Sequence, residues 1–174
     1  GMVLLGVLTL LPAAVEATGA SASVAGIVTA VYGVAVLGFA RVVGALAHRT
    51  RPSRLIALGA SAAAAGCGLL TVGRSPAVAL AAAGLLGLAW VSMHSSLQTW
   101  ATEVLPGVRA TVVSAFAGAL FLGSAVAAKL AGGFAEAHRY ALIFGWATML
   151  AVVLGLFATL GRVRWIASEG EPRP

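Results

Sequence analysis

Six long apolar runs, separated by short gaps that hold most of the charged residues, divide the sequence. In chain order they cover about residues 1–17, 24–46, 55–72, 77–101, 111–134 and 140–160. A helix needs about 20 apolar residues to cross the hydrocarbon core of a bilayer, with a range of about 17–25. The runs meet that length, the first only just. They are also too long and too rich in Ala, Leu and Gly for membrane β-barrel strands, which alternate over segments of about 10 residues.

We therefore predict an all-α polytopic membrane protein. Residues 1–161 are expected to form a bundle of six transmembrane helices, and residues 162–174 a cytoplasmic polar tail. A signal peptide is the alternative for the first run, but that run lacks the positively charged start of such peptides. The abrupt start at Gly1-Met2 instead suggests a first span whose beginning is missing.

The composition agrees with lipid as the solvent of this chain. Hydrophobic residues make up 60% and charged residues 9% of the sequence, against roughly 25% charged residues in soluble domains. So few charges cannot cover the surface of a soluble domain. The net charge of +6 does not indicate nucleic-acid binding, because the basic residues lie in the gaps between runs. We expect the lipid bilayer as a partner and no nucleic acid.

The loop charges give the bundle an orientation. Basic residues near membrane spans stay on the cytoplasmic side. Seven arginines lie in the second gap, the fourth gap and the tail, and two lie in the third and fifth gaps. The seven are Arg49, Arg51, Arg54, Arg109, Arg162, Arg164 and Arg173, and the two are Arg74 and Arg139. We predict a multi-pass protein of the inner (plasma) membrane with both ends in the cytoplasm.

Polar residues inside the fourth run are the first candidates for function. Trp90, His94, Gln98 and Ala101 recur at the spacing of one helix face. Ionisable residues in a span usually face a cavity or the bundle interior. Trp90, His94 and Gln98 therefore either line a substrate pathway or bind a neighbouring helix, and the sequence leaves both open. Tyr32 in the second run is a further candidate with the same alternative.

Other chemistry finds little support. The three histidines and Cys67 are dispersed, without the spacing of metal ligands, and there is no Gly-rich phosphate loop. An intramembrane serine protease would have to pair Ser61 with His94 or His138, and the positions do not suggest the contact that a nucleophile and its base need. We expect no metal, no cofactor and no enzymatic activity.

The most specific string of the sequence covers residues 93–106, 109–114 and 120–123. It resembles the tenth span, the following cytoplasmic loop and the eleventh span of the major facilitator superfamily, especially its bacterial drug:proton antiporters and sugar-efflux permeases. The matching positions are His94, Leu97, Gln98, Thr99, Ala101, Thr102, Pro106, Arg109, Thr111, Val113, Ser114, Leu122 and Gly123. Ser95, Ser96 and Ala110 depart from the family pattern.

The second gap resembles the cytoplasmic loop motif of the same superfamily. Gly44, Leu46 and Arg49 match, whereas His48 stands where the family has Asp. The resemblance implies a gate in which charges of the second and fourth gaps pair and separate. Solvated loop charges are the alternative. The gate candidates are Gly44, Arg49, Arg54, Glu103 and Arg109.

The resemblance covers the whole chain as spans seven to twelve of a twelve-span transporter. It implies two inverted three-helix repeats and, as a partner, a missing amino-terminal half of six helices. The implied function is secondary active transport, specifically efflux of a small organic solute by alternating access. The alternative is a self-contained six-span protein that acts as a homodimer or as a non-transporting membrane partner.

Overall fold

The computed structural model describes residues 1–169, which form helices joined by short turns and contain no strand. The helices are α1 (Leu4–Glu16), α2 (Ala22–Ala47), α3 (Pro52–Val72), α4 (Pro76–Ala89), α5 (Ser95–Val104), α6 (Arg109–Glu136) and α7 (Tyr140–Glu169). A π-helical segment, Trp90–His94, joins α4 to α5, and a 3₁₀ turn, Pro106–Val108, precedes α6. The prediction of an all-α chain is confirmed.

Five helices of the described chain are long and apolar enough to cross a membrane. They are Ala22–Ala47, Pro52–Val72, Pro76–Val104, Pro106–Glu136 and Tyr140–Ala167. The apolar helix α1 has 13 residues, which at a rise of 1.5 Å per residue is about 20 Å, short of the roughly 30 Å hydrocarbon core. The chain is therefore a helical membrane protein with five full-length spans and one short apolar helix.

The helix boundaries follow from local chemistry. The Ser21 side chain accepts a hydrogen bond from the backbone N–H of Val24 at the start of α2, and helices α3 and α4 begin at Pro52 and Pro76. Proline suits the first turn of a helix because its missing N–H is not needed there. Gly19, with φ of +90°, makes the turn between α1 and α2. These signals give short connections, so consecutive helices run antiparallel.

Helix α3 lies at the centre of the bundle, where it packs against α7, α4 and the π-helical segment. Half of its most apolar stretch is buried, and so is half of that of Pro76–Val104. We call Pro76–Val104, which contains α4, the π-helical segment and α5, the fourth span, after its place among the six predicted runs. Glycines allow the close approach: a Cβ on Gly155 of α7 would overlap Ala60 of α3, and a Cβ on Gly87 of α4 would lie 2.7 Å from the Ala35 Cβ of α2. Small residues have this role in membrane bundles because lipid removes the hydrophobic drive between helices.

Helices α2 and α6 are the least buried spans. In the most apolar stretch of α2, 11% of the residues are buried, and in that of α6 none is. Large apolar side chains point outward on both, among them Leu37 at 75% exposure and Leu122 at 66%. Helix α2 packs against α1 and α4, and helix α6 against α1 and α5.

The last helix differs from its predicted boundary. The apolar run was expected to end near residue 160 and to be followed by a polar tail from residue 162. Helix α7 instead continues to Glu169, and Arg162 is 5% exposed. The helix continues because Arg162 finds partners on α5, as described below. Residues 170–174 of the expected tail lie outside the described residues.

We predict that Gly155→Ala destabilises the bundle, because the added Cβ forces α3 and α7 apart. Overpacking of this kind typically costs about 1–3 kcal/mol. The matched control is Gly132→Ala on α6, where an added Cβ meets no atom within 4 Å. Reversible unfolding in mixed micelles gives both free energies. Equal stability of the two variants would contradict the close α3–α7 contact.

Candidate functional site

The fourth span changes its helical geometry at Trp90–His94, where one π-helical turn separates α4 from α5. A π-turn widens the helix and frequently occurs at functional sites. Two serine hydroxyls bind backbone carbonyls around it: Ser92 Oγ donates to the Leu88 carbonyl and Ser96 Oγ donates to the Ser92 carbonyl, each at 2.6 Å. These bonds partly satisfy carbonyls in a region where the regular hydrogen-bond ladder is interrupted.

Helix α3 holds the π-turn from one side. Gly59 lies so close to it that an added Cβ would be 2.5 Å from the Met93 backbone nitrogen and 2.6 Å from Ser92 Oγ. Ser92 and Met93 are buried. The residues on this side of the turn are therefore fixed by packing, and the side chains on the other side, Trp90 and His94, are half-buried.

His94 lies between two aromatic rings. Its imidazole stacks on Trp90 with a centroid distance of 4.2 Å and an interplanar angle of 18°. The ring of Phe116 on α6 also contacts the imidazole, with a centroid distance of 5.3 Å and a tilt of 49°. The arrangement places an ionisable group inside the fourth span, at the contact between that span and α6.

The other pathway candidates, Gln98 and Tyr32, are also half-buried. Gln98 and Ala101 are half-buried, as Trp90 and His94 are. Tyr32 is half-buried on α2 and packs against the same apolar core as Trp90. The structure thus brings Trp90 and His94 into direct contact.

A second polar cluster lies at the carboxyl-terminal end of the fourth span. The Glu103 carboxylate of α5 lies 2.6 Å from Arg162 Nη1 of α7, and the Arg162 side chain is 6% exposed. The contact is an ion pair without an aligned hydrogen bond. The Arg162 guanidinium also lies 4.6 Å from the ring centroid of Trp165 and 5.6 Å from that of Trp100. Gly161 makes room, because a Cβ there would be 3.2 Å from the Trp100 ring.

In the described residues, no two of the gate candidates form an ion pair with each other. Gly44, Arg49, Arg54 and Arg109 are exposed. The residues described here contain one ion pair, and it joins Glu103 to Arg162 rather than to an arginine of the second gap. The sequence analysis missed this partner because it assigned Arg162 to a polar tail. The signal available was the spacing of Arg162 and Trp165 within residues 162–169, which contain no Pro or Gly.

Two features of the His94 site could not be read from the sequence. The π-turn has no sequence signature here, and Phe116 belongs to a run whose apolar residues all look alike. Residues 1–169 contain no group of three or more His, Cys, Asp or Glu residues that could hold a metal ion. What the site offers is an aromatic-flanked imidazole in a span and a charged clamp at the end of that span.

Comparisons with protein families, with curated proteins and with solved structures find no match to this chain.

We predict that Glu103→Gln loosens α5 from α7. The change leaves the buried Arg162 guanidinium without its counter-charge, and breaking a fully buried pair costs about 3–5 kcal/mol. Because Glu103 is 38% exposed, we expect a smaller loss of about 1–3 kcal/mol in the free energy of unfolding. The control is Glu136→Gln, which alters an exposed carboxylate that lies in no ion pair of the described chain. If both variants unfold alike, the pair does not hold the two helices together.

Proposed function

We propose that the chain is the carboxyl-terminal half of a secondary active transporter that exports a small organic solute by alternating access. The observation that carries the proposal is His94, an ionisable group in a π-turn of the fourth span between Trp90 and Phe116. Ionisable residues within spans are costly and mark substrate or ion pathways. An aromatic-flanked imidazole suits both an organic cation, through the ring faces, and a coupling proton.

The pattern of helix neighbours supports a two-repeat architecture. If α1–α3 and the remaining spans are inverted repeats, then α1 corresponds to the fourth span, α2 to α6 and α3 to α7. A two-fold relation then requires the contact of α2 with α4 to have a counterpart between α6 and α1, and α3 to pack on its own equivalent, α7. All three contacts exist. Inverted repeats of this kind are a common design of secondary transporters, with the substrate site near the midplane.

The distribution of exposure supports a second half. The two helices that are equivalent in the repeats, α2 and α6, are also the two least buried spans. A missing six-helix bundle that packs on both would give the exposed apolar rows around Leu37 and Leu122 a protein partner. The fourth span and its His94 would then face the interface between the halves, where rocking of one half against the other opens and closes a pathway.

The same exposed faces favour a second candidate, a self-contained six-span protein that forms a homodimer. A second copy of the chain could cover α2 and α6 equally well. The DNA that precedes the codon for Gly1 separates the candidates. An open reading frame that encodes six further spans supports the transporter half, whereas a stop codon and ribosome-binding site directly upstream would contradict it.

We predict that His94→Ala reduces export without reducing the amount of protein. Cells that express the full-length gene are loaded with a panel of fluorescent organic dyes, and the efflux rate is measured for each variant. Loss of about 1.4 kcal/mol of interaction corresponds to roughly a ten-fold slower rate. The control is His48→Ala, an exposed histidine at the end of α2. Unchanged export of every transported dye by His94→Ala would remove His94 from the pathway.

A further inference from the structure

An apolar cleft opens between α1, α6 and α7, away from His94 and from the Glu103–Arg162 pair. Its volume is about 370 Å³, and every residue that lines it is apolar. Val7, Ala131 and Ala147 are almost fully buried and form its floor. The large side chains at its rim, Leu130, Phe134 and Trp146, are 64%, 42% and 59% exposed. The cleft is therefore closed at the bottom and open on the outer surface of the bundle.

The cleft exists because the small side chains of Ala131 and Ala147 leave space above them. In addition, α6 and α7 touch over a short stretch only. On its other side, α6 approaches α1 closely: a Cβ on Gly6 would be 2.7 Å from the Ala127 Cβ. Helix α6 is thus held against α1 but separated from α7 by the cleft. Since α6 is also the least buried span, the seam between α6 and α7 is loosely packed.

The dimensions suit one hydrocarbon chain. The cleft is lined by residues 127–134 of α6 and residues 143–150 of α7, which at 1.5 Å per residue is about 10 Å along each helix. The hydrocarbon of one bilayer leaflet is about 15 Å deep, half of the roughly 30 Å core. The cleft therefore runs along most of one leaflet, from near the midplane to the α6–α7 turn.

A basic residue, Arg139, lies in the α6–α7 turn next to a rim residue of the cleft. The backbone N–H of Arg139 donates to the carbonyl of Phe134, a rim residue, at 2.7 Å. His138 makes the turn possible with φ of +55°. The Arg139 side chain is exposed and lies within 4 Å of no carboxylate of the described chain, Glu136 included. A guanidinium is well suited to a phosphate because its planar fork can donate two parallel hydrogen bonds.

We propose that this cleft binds one acyl chain of an anionic phospholipid whose phosphate group is held by Arg139. The chain fills the seam between α6 and α7 and gives the exposed helix α6 a second packing partner. Loop charge predicts that the α6–α7 turn lies on the outer side of the membrane, so the lipid belongs to the outer leaflet. The proposal is independent of transport, since the cleft contains no residue of the His94 site.

Native mass spectrometry of the purified full-length protein in micelles tests the site. The protein is titrated with phosphatidylglycerol and, separately, with diacylglycerol of the same acyl chains, which lacks the phosphate. We expect tighter binding of phosphatidylglycerol to the unaltered protein. Ala131→Leu fills the floor of the cleft and should abolish the bound lipid, and Ala147→Leu repeats this from α7 in case the first variant does not fold. The control is Ala125→Leu, an exposed position of α6 outside the cleft.

Arg139→Gln should remove the preference for the anionic lipid. A basic residue near a membrane surface contributes about 1 kcal/mol to anionic lipid binding, so affinity for phosphatidylglycerol should fall about five-fold while that for diacylglycerol, which has no phosphate, stays. Lys129→Gln, which removes an exposed positive charge of α6 outside the cleft, is the control and should have little effect.

Three results would overturn the proposal. The lipid is elsewhere if both cleft-filling variants fold and still bind it. The headgroup is not at Arg139 if Arg139→Gln and Lys129→Gln behave alike. Equal binding of the two lipids by the unaltered protein would contradict the phosphate contact, because the cleft would then hold an acyl chain without selecting its headgroup.

Discussion

The bundle depends on the close approach of backbones to α3. In lipid, apolar side chains gain little by leaving their surroundings, so helices associate through van der Waals contact and through polar groups that find partners. Gly59 lets α3 touch the π-turn, and Gly155 lets α7 touch α3. Through these two contacts α3 positions both the fourth span, which has the polar residues of interest, and α7, which has Arg162. Among the long helices, α2 and α6, which contact α3 little or not at all, are the most exposed.

The two polar sites divide the fourth span between them. At the π-turn, packing fixes Ser92 and Met93 and leaves His94 between two aromatic rings. Beyond it, α5 has no buried residue and is joined to α7 through Glu103 and Arg162. The span is thus fixed by shape in the middle and by charge at its end. This is a suitable construction for a helix that lines a pathway, because a charged clamp can be released without breaking the apolar core.

The sequence predicts the spans well and their contacts poorly. Apolar runs of about 20 residues, with Pro52 and Pro76 at two helix starts, locate the helices because backbone hydrogen bonding in lipid allows few alternatives. The location of His94 inside a span follows in the same way. Its neighbour Phe116 does not, because every residue in that run is apolar or small and nothing distinguishes one face. The continuation of α7 past Arg162 was missed because the charged residues there predict a solvated tail. The buried partner that Arg162 finds in Glu103 cannot be read from the sequence.

The proposed function requires that α2 and α6 face a second bundle of helices rather than lipid. Oxygen accessibility of nitroxide labels tests it in native membranes that contain the full-length protein, with Cys67, a buried residue, replaced by Ala. Labels are attached at position 37 of α2, position 122 of α6 and position 157 of α7, where the natural residues are 75%, 66% and 75% exposed. If a second bundle covers α2 and α6, the label at position 157 should have the oxygen accessibility of a lipid-facing site, and the labels at positions 37 and 122 should be strongly shielded from oxygen. Equal accessibility at all three positions would contradict it.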